Sequence, residues 1–232
     1  MENFSYFYQP PKKEEPAPEK PKDTSESKFL KFPGHQEDVY ESSMNLASYL
    51  KTEKIPNVVF LDKSARQAYV GLREAWKKVA EDETEPTIYF LNPNELRGED
   101  DFSDYEGEFN RKYKHLNREE AILVYDACIH SGDSLFGTKA FLESLGFKDV
   151  RVGATSPEKT FSEERYGELD LIALDHRAHA GCHPFVHPLY VEHDGGRVVS
   201  KKIDSKTQRD RAVMEKQRIK DAFNDQYEKN NT

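Results

Sequence analysis

A chain of 232 residues has the length of one domain with tails, not of two full domains. Its net charge of −9 argues against a general nucleic-acid binder, because nonspecific grip on a phosphate backbone needs a basic field; a small anion held by a few local groups remains compatible. No window reaches the roughly 18 apolar residues of a membrane span, the N-terminus lacks the basic start and apolar run of a secretory signal, and Cys128 and Cys182 make no disulfide framework, so a cytoplasmic protein without a membrane partner is expected.

Residues 1–28 mix prolines with charges of both signs (QPPKKEEPAPEKPKDTSESK) and hold too little apolar surface to offset the entropy of ordering, so a disordered tail is expected there. From about residue 37 the pattern alternates. Val39, Tyr40, Met44, Ala47 and Leu50 recur at helical spacing, and Pro56 closes that segment. NVVFL (57–61) reads as a buried strand, followed by the helical stripe Ala65, Ala68, Leu72, Ala75, Trp76 and Val79. TIYFL (87–91) and AILVY (121–125) are further strands. Leu135, Phe136, Ala140, Phe141 and Leu145 form a helix that Gly146 stops. KDVRVGA (148–154) and DLIAL (170–174) complete five strands. From Ser205 to about Tyr227 a helix with a thin apolar face is expected, packing on the domain or on a dimer mate.

Short apolar strands alternating with amphipathic helices predict an α/β fold: a single doubly wound domain over residues 29–203, with a mainly parallel five-strand sheet and a C-terminal helix in 204–232. Ligands of such sheets bind beyond the carboxyl ends of the strands. Here those ends read LDKSAR, LNPNELRGEDD, YDACIHSGDS, ATSPEKT and LDHRAH, which gathers Asp, Ser, Lys and Arg at one edge. The connection from Asn92 to Glu120 is too long to be structureless. Tyr105, Phe109, Tyr113 and Leu116 fall on one helical face, and the acidic GEDDFSDYEGE is either a mobile lid or a solvated insertion.

The turn Ser131-Gly132-Asp133-Ser134 enters the helix at Leu135. Backbone N–H groups of such a turn make an anion-binding concavity, aided by the helix dipole. Gly132 permits close approach, the two serine hydroxyls can donate, and Asp133 must point outward. Asp126, at the strand end, can accept hydrogen bonds from the vicinal hydroxyls of a ribose. Together they fit a ribose 5-phosphate group.

Four apolar residues, an acid, a short run and then Ser-Gly-x-Ser resemble the phosphoribosyl pyrophosphate (PRPP) signature of type I phosphoribosyltransferases; the matching residues are ILVY, Asp126, Ser131, Gly132 and Ser134. The resemblance implies a phosphoribosyltransferase-like fold with a long flexible-loop insertion in 92–120. It further implies that Asp126 holds the ribose hydroxyls, that Ser131, Gly132, Asp133 and Ser134 bind the 5-phosphate, and that Lys63, Ser64, Ala65 and Arg66 form a pyrophosphate loop. His130 stands where purine-type members often place an aspartate that acts on the base proton, and histidine can do that work. The family's second acid is Ala127 here, which leaves a non-catalytic regulatory or nucleotide-binding module as the alternative to an enzyme. Magnesium enters with the substrate diphosphate and needs no protein cage; the partner implied is a small phosphorylated ribose.

The segment 175–193 holds five of the eight histidines. His179, Cys182, His183 and His187 are ligands by type, but their spacing matches no closed zinc site, so no protein-held metal is expected. A metal-dependent hydrolase using this segment is the third reading. By resemblance the region helps cover the nucleobase, with Phe185 and Tyr190 stacking on it.

Overall fold

Proline at its first position begins helix α1 (Pro33–Thr52), where the missing N–H would have no helical partner in any case. The computed structural model describes residues 33–92, 103–158, 161–174, 191–194, 197–200 and 205–232. α1 ends with Lys54 in the left-handed region (φ 53°) and Ile55 N–H donating to the Leu50 carbonyl at 3.0 Å, the pattern of a Schellman stop.

Strand β1 (Asn57–Leu61) is buried at every residue, as a strand covered on both faces must be. It runs without a loop into α2 (Asp62–Val79), which is followed by β2 (Thr87–Leu91), α3 (Ser103–Tyr113), β3 (Ile122–Ile129) and α4 (Asp133–Ser144). Then come β4 (Val150–Pro157), a single turn α5 (Glu163–Tyr166) and the two-residue β5 (Leu171–Ile172). The hairpin β6 (Val191–Asp194) and β7 (Arg197–Ser200) precedes the long α6 (Ser205–Asn231). The five-stranded sheet has the order β2-β1-β3-β4-β5 and every pairing in it is parallel, so the expected α/β class, sheet and C-terminal helix are all present.

α1, α2 and α6 cover one face, packing Leu46, Leu50, Leu72, Ile219 and Phe223 against Phe60, Leu123 and Tyr125. The other face carries α3 and α4, whose Phe109, Leu135, Phe141 and Leu142 meet Leu61, Val124 and Val152. Each such side chain contributes roughly 1.5–3 kcal/mol by leaving water. The fully buried Tyr125 hydroxyl is satisfied by Thr155 Oγ1 at 2.7 Å, across the β3–β4 pair. From β1 the chain winds toward β2 through α2 on one face, and from β3 toward β4 through α4 on the other. The winding therefore reverses between β1 and β3, which opens a crevice at their carboxyl ends.

Two expectations, the end of β3 and the DKSAR loop, need correction. β3 was expected to stop at Tyr125 but continues to Ile129, paired with β4 alone after Phe60↔Tyr125, its last pairing with β1. Asp126 therefore lies inside the strand. The DKSAR stretch is the first turn of α2 and not a loop, because an acid at the start of a helix suits the dipole there. The helix expected within 92–120 is present as α3, with Phe109 packing edge-on against Phe141 at 5.3 Å; residues 93–102 lie outside the described residues. The β6–β7 hairpin was not anticipated.

Candidate functional site

β3 outlasts β1, so its final residues border the crevice while keeping the β4 ladder, with Asp126 opposite Ala154 and Cys128 opposite Ser156. Asp126 is half-buried there, and its Oδ1 faces the Cys128 N–H at 3.4 Å. The turn after β3 passes through Gly132, which is buried and has φ +82°. A Cβ at this position would meet the Phe136 and Phe161 rings at 2.9 and 3.0 Å, so the turn needs glycine for space as well as for backbone conformation. Gly132, the N-cap of α4, has no side chain to cap the helix, and the first N–H of the helix, that of Asp133, faces Ser131 Oγ at 3.4 Å.

Ser131 Oγ donates to Asp133 Oδ2 at 2.8 Å. Arg165, on α5, closes over the same turn: its Nη1 donates to the Ser131 carbonyl at 2.9 Å and lies 3.5 Å from Asp133 Oδ1. The guanidinium sits 4.0 Å above the Phe136 ring, a cation–π seat that fixes its position. The side chain of Asp133 is 72% exposed, but its carboxylate stays at the turn, held by Ser131 and Arg165.

A buried carboxylate organises the residues between Asp126 and the turn. Glu158, just after β4 and 6% exposed, accepts from Cys128 Sγ at 3.1 Å through Oε1. Its Oε2 lies 3.1 Å from His130 Nδ1. Burial first, and then the Glu158 charge, push the Cys128 thiol well above its usual range, so the sulfur stays protonated and serves as a donor. The imidazole of His130 is 47% exposed.

Asp126, His130 and Ser131–Ser134 thus share one strand–turn–helix, as their sequence proximity requires. The 63–66 group lies in the first turn of α2, at the end of the neighbouring strand. Ala65 is in the core, and Arg66 stacks over Phe90 with Cζ 5.0 Å from the ring centre. The side chains of Lys63 and Ser64, and Phe185, Tyr190 and residues 176–190 of the histidine-rich segment, lie outside the described residues. Sequence reasoning missed Glu158 and Arg165. Both follow β4, and their only sequence signal was a position beyond a strand's carboxyl end. Among the described residues there is no cluster of three metal-ligating side chains, and no helix is long and apolar enough to cross a membrane.

No family model matches the chain, and no curated protein does. Among solved structures it is similar to a purine phosphoribosyltransferase from Pyrococcus horikoshii Ot3, at 10% identity over 58% of this chain and 80% of that one, with a TM-score of 0.38. It is also similar to a hypoxanthine-guanine phosphoribosyltransferase from Schistosoma mansoni, solved with IMP, at 16% identity over 55% of this chain and 57% of that one, with a TM-score of 0.35. At these values the likeness is distant and says nothing of ligand or reaction.

Proposed function

We propose that this protein binds PRPP in the crevice at the ends of β1 and β3 and transfers its phosphoribosyl group to a nitrogen nucleophile such as a nucleobase, releasing pyrophosphate. The observation that carries the reading is the glycine-dependent turn at Gly132, which leads into the N-terminus of α4 close in sequence to the half-buried Asp126. In this reading the first-turn N–H groups of α4, the Ser131 and Ser134 hydroxyls and Arg165 hold the 5-phosphate. Asp126 accepts from the ribose diol.

As the bond from the anomeric carbon to the diphosphate breaks, positive charge builds on the ribose ring and negative charge on the leaving group. Magnesium carried by the diphosphate supplies neutralisation of that leaving group, and a hard cation bound through substrate oxygens fits a site whose half-buried donor is the Asp126 carboxylate. His130 accepts the proton of the incoming nitrogen at Nε2, while Nδ1–H donates to Glu158, which fixes the ring and balances the imidazolium.

One observation favours a second reading, a regulatory module that binds the ligand without turnover. The Asp133 carboxylate already takes the Ser131 hydroxyl and faces Arg165, an anion of the protein's own in the turn. Both readings predict that PRPP with magnesium raises Tm and that Asp126→Ala abolishes the rise; no shift would reject both. Pyrophosphate release across a nucleobase panel then separates them. An enzyme releases it and loses about 10²–10⁴-fold in turnover on His130→Gln, whereas silence across the panel rejects the transferase.

A further inference from the structure

A cavity of about 220 Å³ opens between α2, the end of β2 and α6, and no residue of β3 or α4 lines it. Its chemistry is set by Arg66, Arg73, Lys216 and Lys220, with Glu74 as the one lining carboxylate and Phe90 in the wall. Spacing explains the convergence: Lys216 and Lys220 are one helical turn apart on α6, and Arg66 and Arg73 two turns apart on α2, so each pair lies on one helix face. Four cations against one acid is a local inversion in a chain of net charge −9.

Two of these four cations, Lys220 and Arg73, have an acid within ion-pair distance among the described residues, and both pairs are loose. Glu74 is engaged by Lys77 at 2.8 Å and by Lys220 at 3.5 Å. Arg73 Nε is buried without a hydrogen-bond partner among the described residues; its nearest acid, Glu85, stands at 3.6 Å, beyond bonding distance. Arg66 is held over Phe90, and neither it nor Lys216 has a carboxylate partner among the described side chains. The Arg66 and Arg73 guanidinium groups both line the cavity and can offer N–H donors to an anion held there. The volume is below the roughly 300 Å³ at which drug-sized pockets begin, so the occupant is compact. Arginine forks fit the tetrahedral oxygens of phosphate.

We propose that the α2–α6 cavity is an anion site for a compact di- or triphosphate group, separate from the β3–α4 turn. The occupant bridges α2 to α6 and so ties the C-terminal helix to the domain. The test is calorimetric titration of the full chain with inorganic tripolyphosphate, with sulfate at matched ionic strength as the control. Saturable one-to-one binding is expected, weakened at least about tenfold by Lys216→Glu and by Arg73→Gln and unchanged by Asp126→Ala. Lys216 is exposed, so its variant keeps the fold, which circular dichroism checks. Three results overturn the proposal: no saturation in the millimolar range, equal binding of sulfate, or binding lost in Asp126→Ala and kept in Lys216→Glu. A poly-glutamate peptide that binds as tightly with the same variant pattern overturns the phosphate assignment.

Discussion

Adding one methyl group to each of two glycines five residues apart should move stability in opposite directions. At Gly132 the new Cβ would lie 2.9 Å from Phe136 Cε2 and 3.0 Å from Phe161 Cε2, both ring carbons. Neither ring yields easily, because Phe136 lies beneath the Arg165 guanidinium and Phe161 is 2% exposed. The left-handed φ of +82° adds its own cost. Roughly 1–2 kcal/mol for the backbone and about 1–3 kcal/mol for overpacking place Gly132→Ala some 2–5 kcal/mol below the parent chain. At Gly137, inside α4, a Cβ meets nothing within 4 Å, and helix propensity favours alanine by about 0.5–1 kcal/mol. Urea unfolding at constant m-value measures both changes. If Gly132→Ala costs less than about 0.5 kcal/mol, within the range of an ordinary surface substitution, or if both variants shift in the same direction, the packing account of the turn is wrong.

Two further predictions concern the helical face of the domain. Burial raises the Glu74 carboxyl, but the Lys77 hydrogen bond and charge, joined by Lys220, outweigh it and hold the group below its ordinary 4.5. The folded state thus binds fewer protons than the unfolded one, and Glu74 contributes stability that is fully present above pH 4.5 and lost as the pH falls through the lower folded value. Glu74→Gln should therefore be less stable than the parent at pH 7, with a deficit that closes in acid; a constant deficit across the titration would contradict this. Lys54 holds a left-handed conformation that costs a lysine about 1–2 kcal/mol, offset in part by the extra unfolded-state freedom of glycine. Lys54→Gly should raise stability by about 0.5–1 kcal/mol, and a lower Tm would contradict the Schellman reading of the α1 stop.

The regular parts of the fold were legible because burial writes itself into apolar runs. β1 and β2 match their predicted ends, and α4 ends just before Gly146 at φ +90°. The errors fall where tertiary context replaces that signal. Asp126-Ala127-Cys128 looks like a loop since it is polar and small, yet β4 supplies a ladder that no local property of β3 announces. Asp62-Lys63-Ser64 reads as a connection for the same reason, although its polar residues lie in the first turn of a helix. The turn between β3 and α4 was visible in the Ser-Gly-x-Ser spacing. Glu158 was not, because the fold alone sets it against a histidine 28 residues earlier. The hairpin had a signal, Asp-Gly-Gly between VEH and RVV, that the histidines around it obscured.

Helix α6 supplies Ile219, Ala222 and Phe223 to the core shared with α1 and α2, although α1 is made first among the described elements and α6 last. During synthesis the apolar side of α1 and α2 therefore waits for most of the chain to emerge, and the closing contact spans nearly its whole sequence. Such long-range closure slows folding and leaves a sticky face available to other chains in the interval. The side of α1 and α2 that α6 covers thus stays bare until α6 is made.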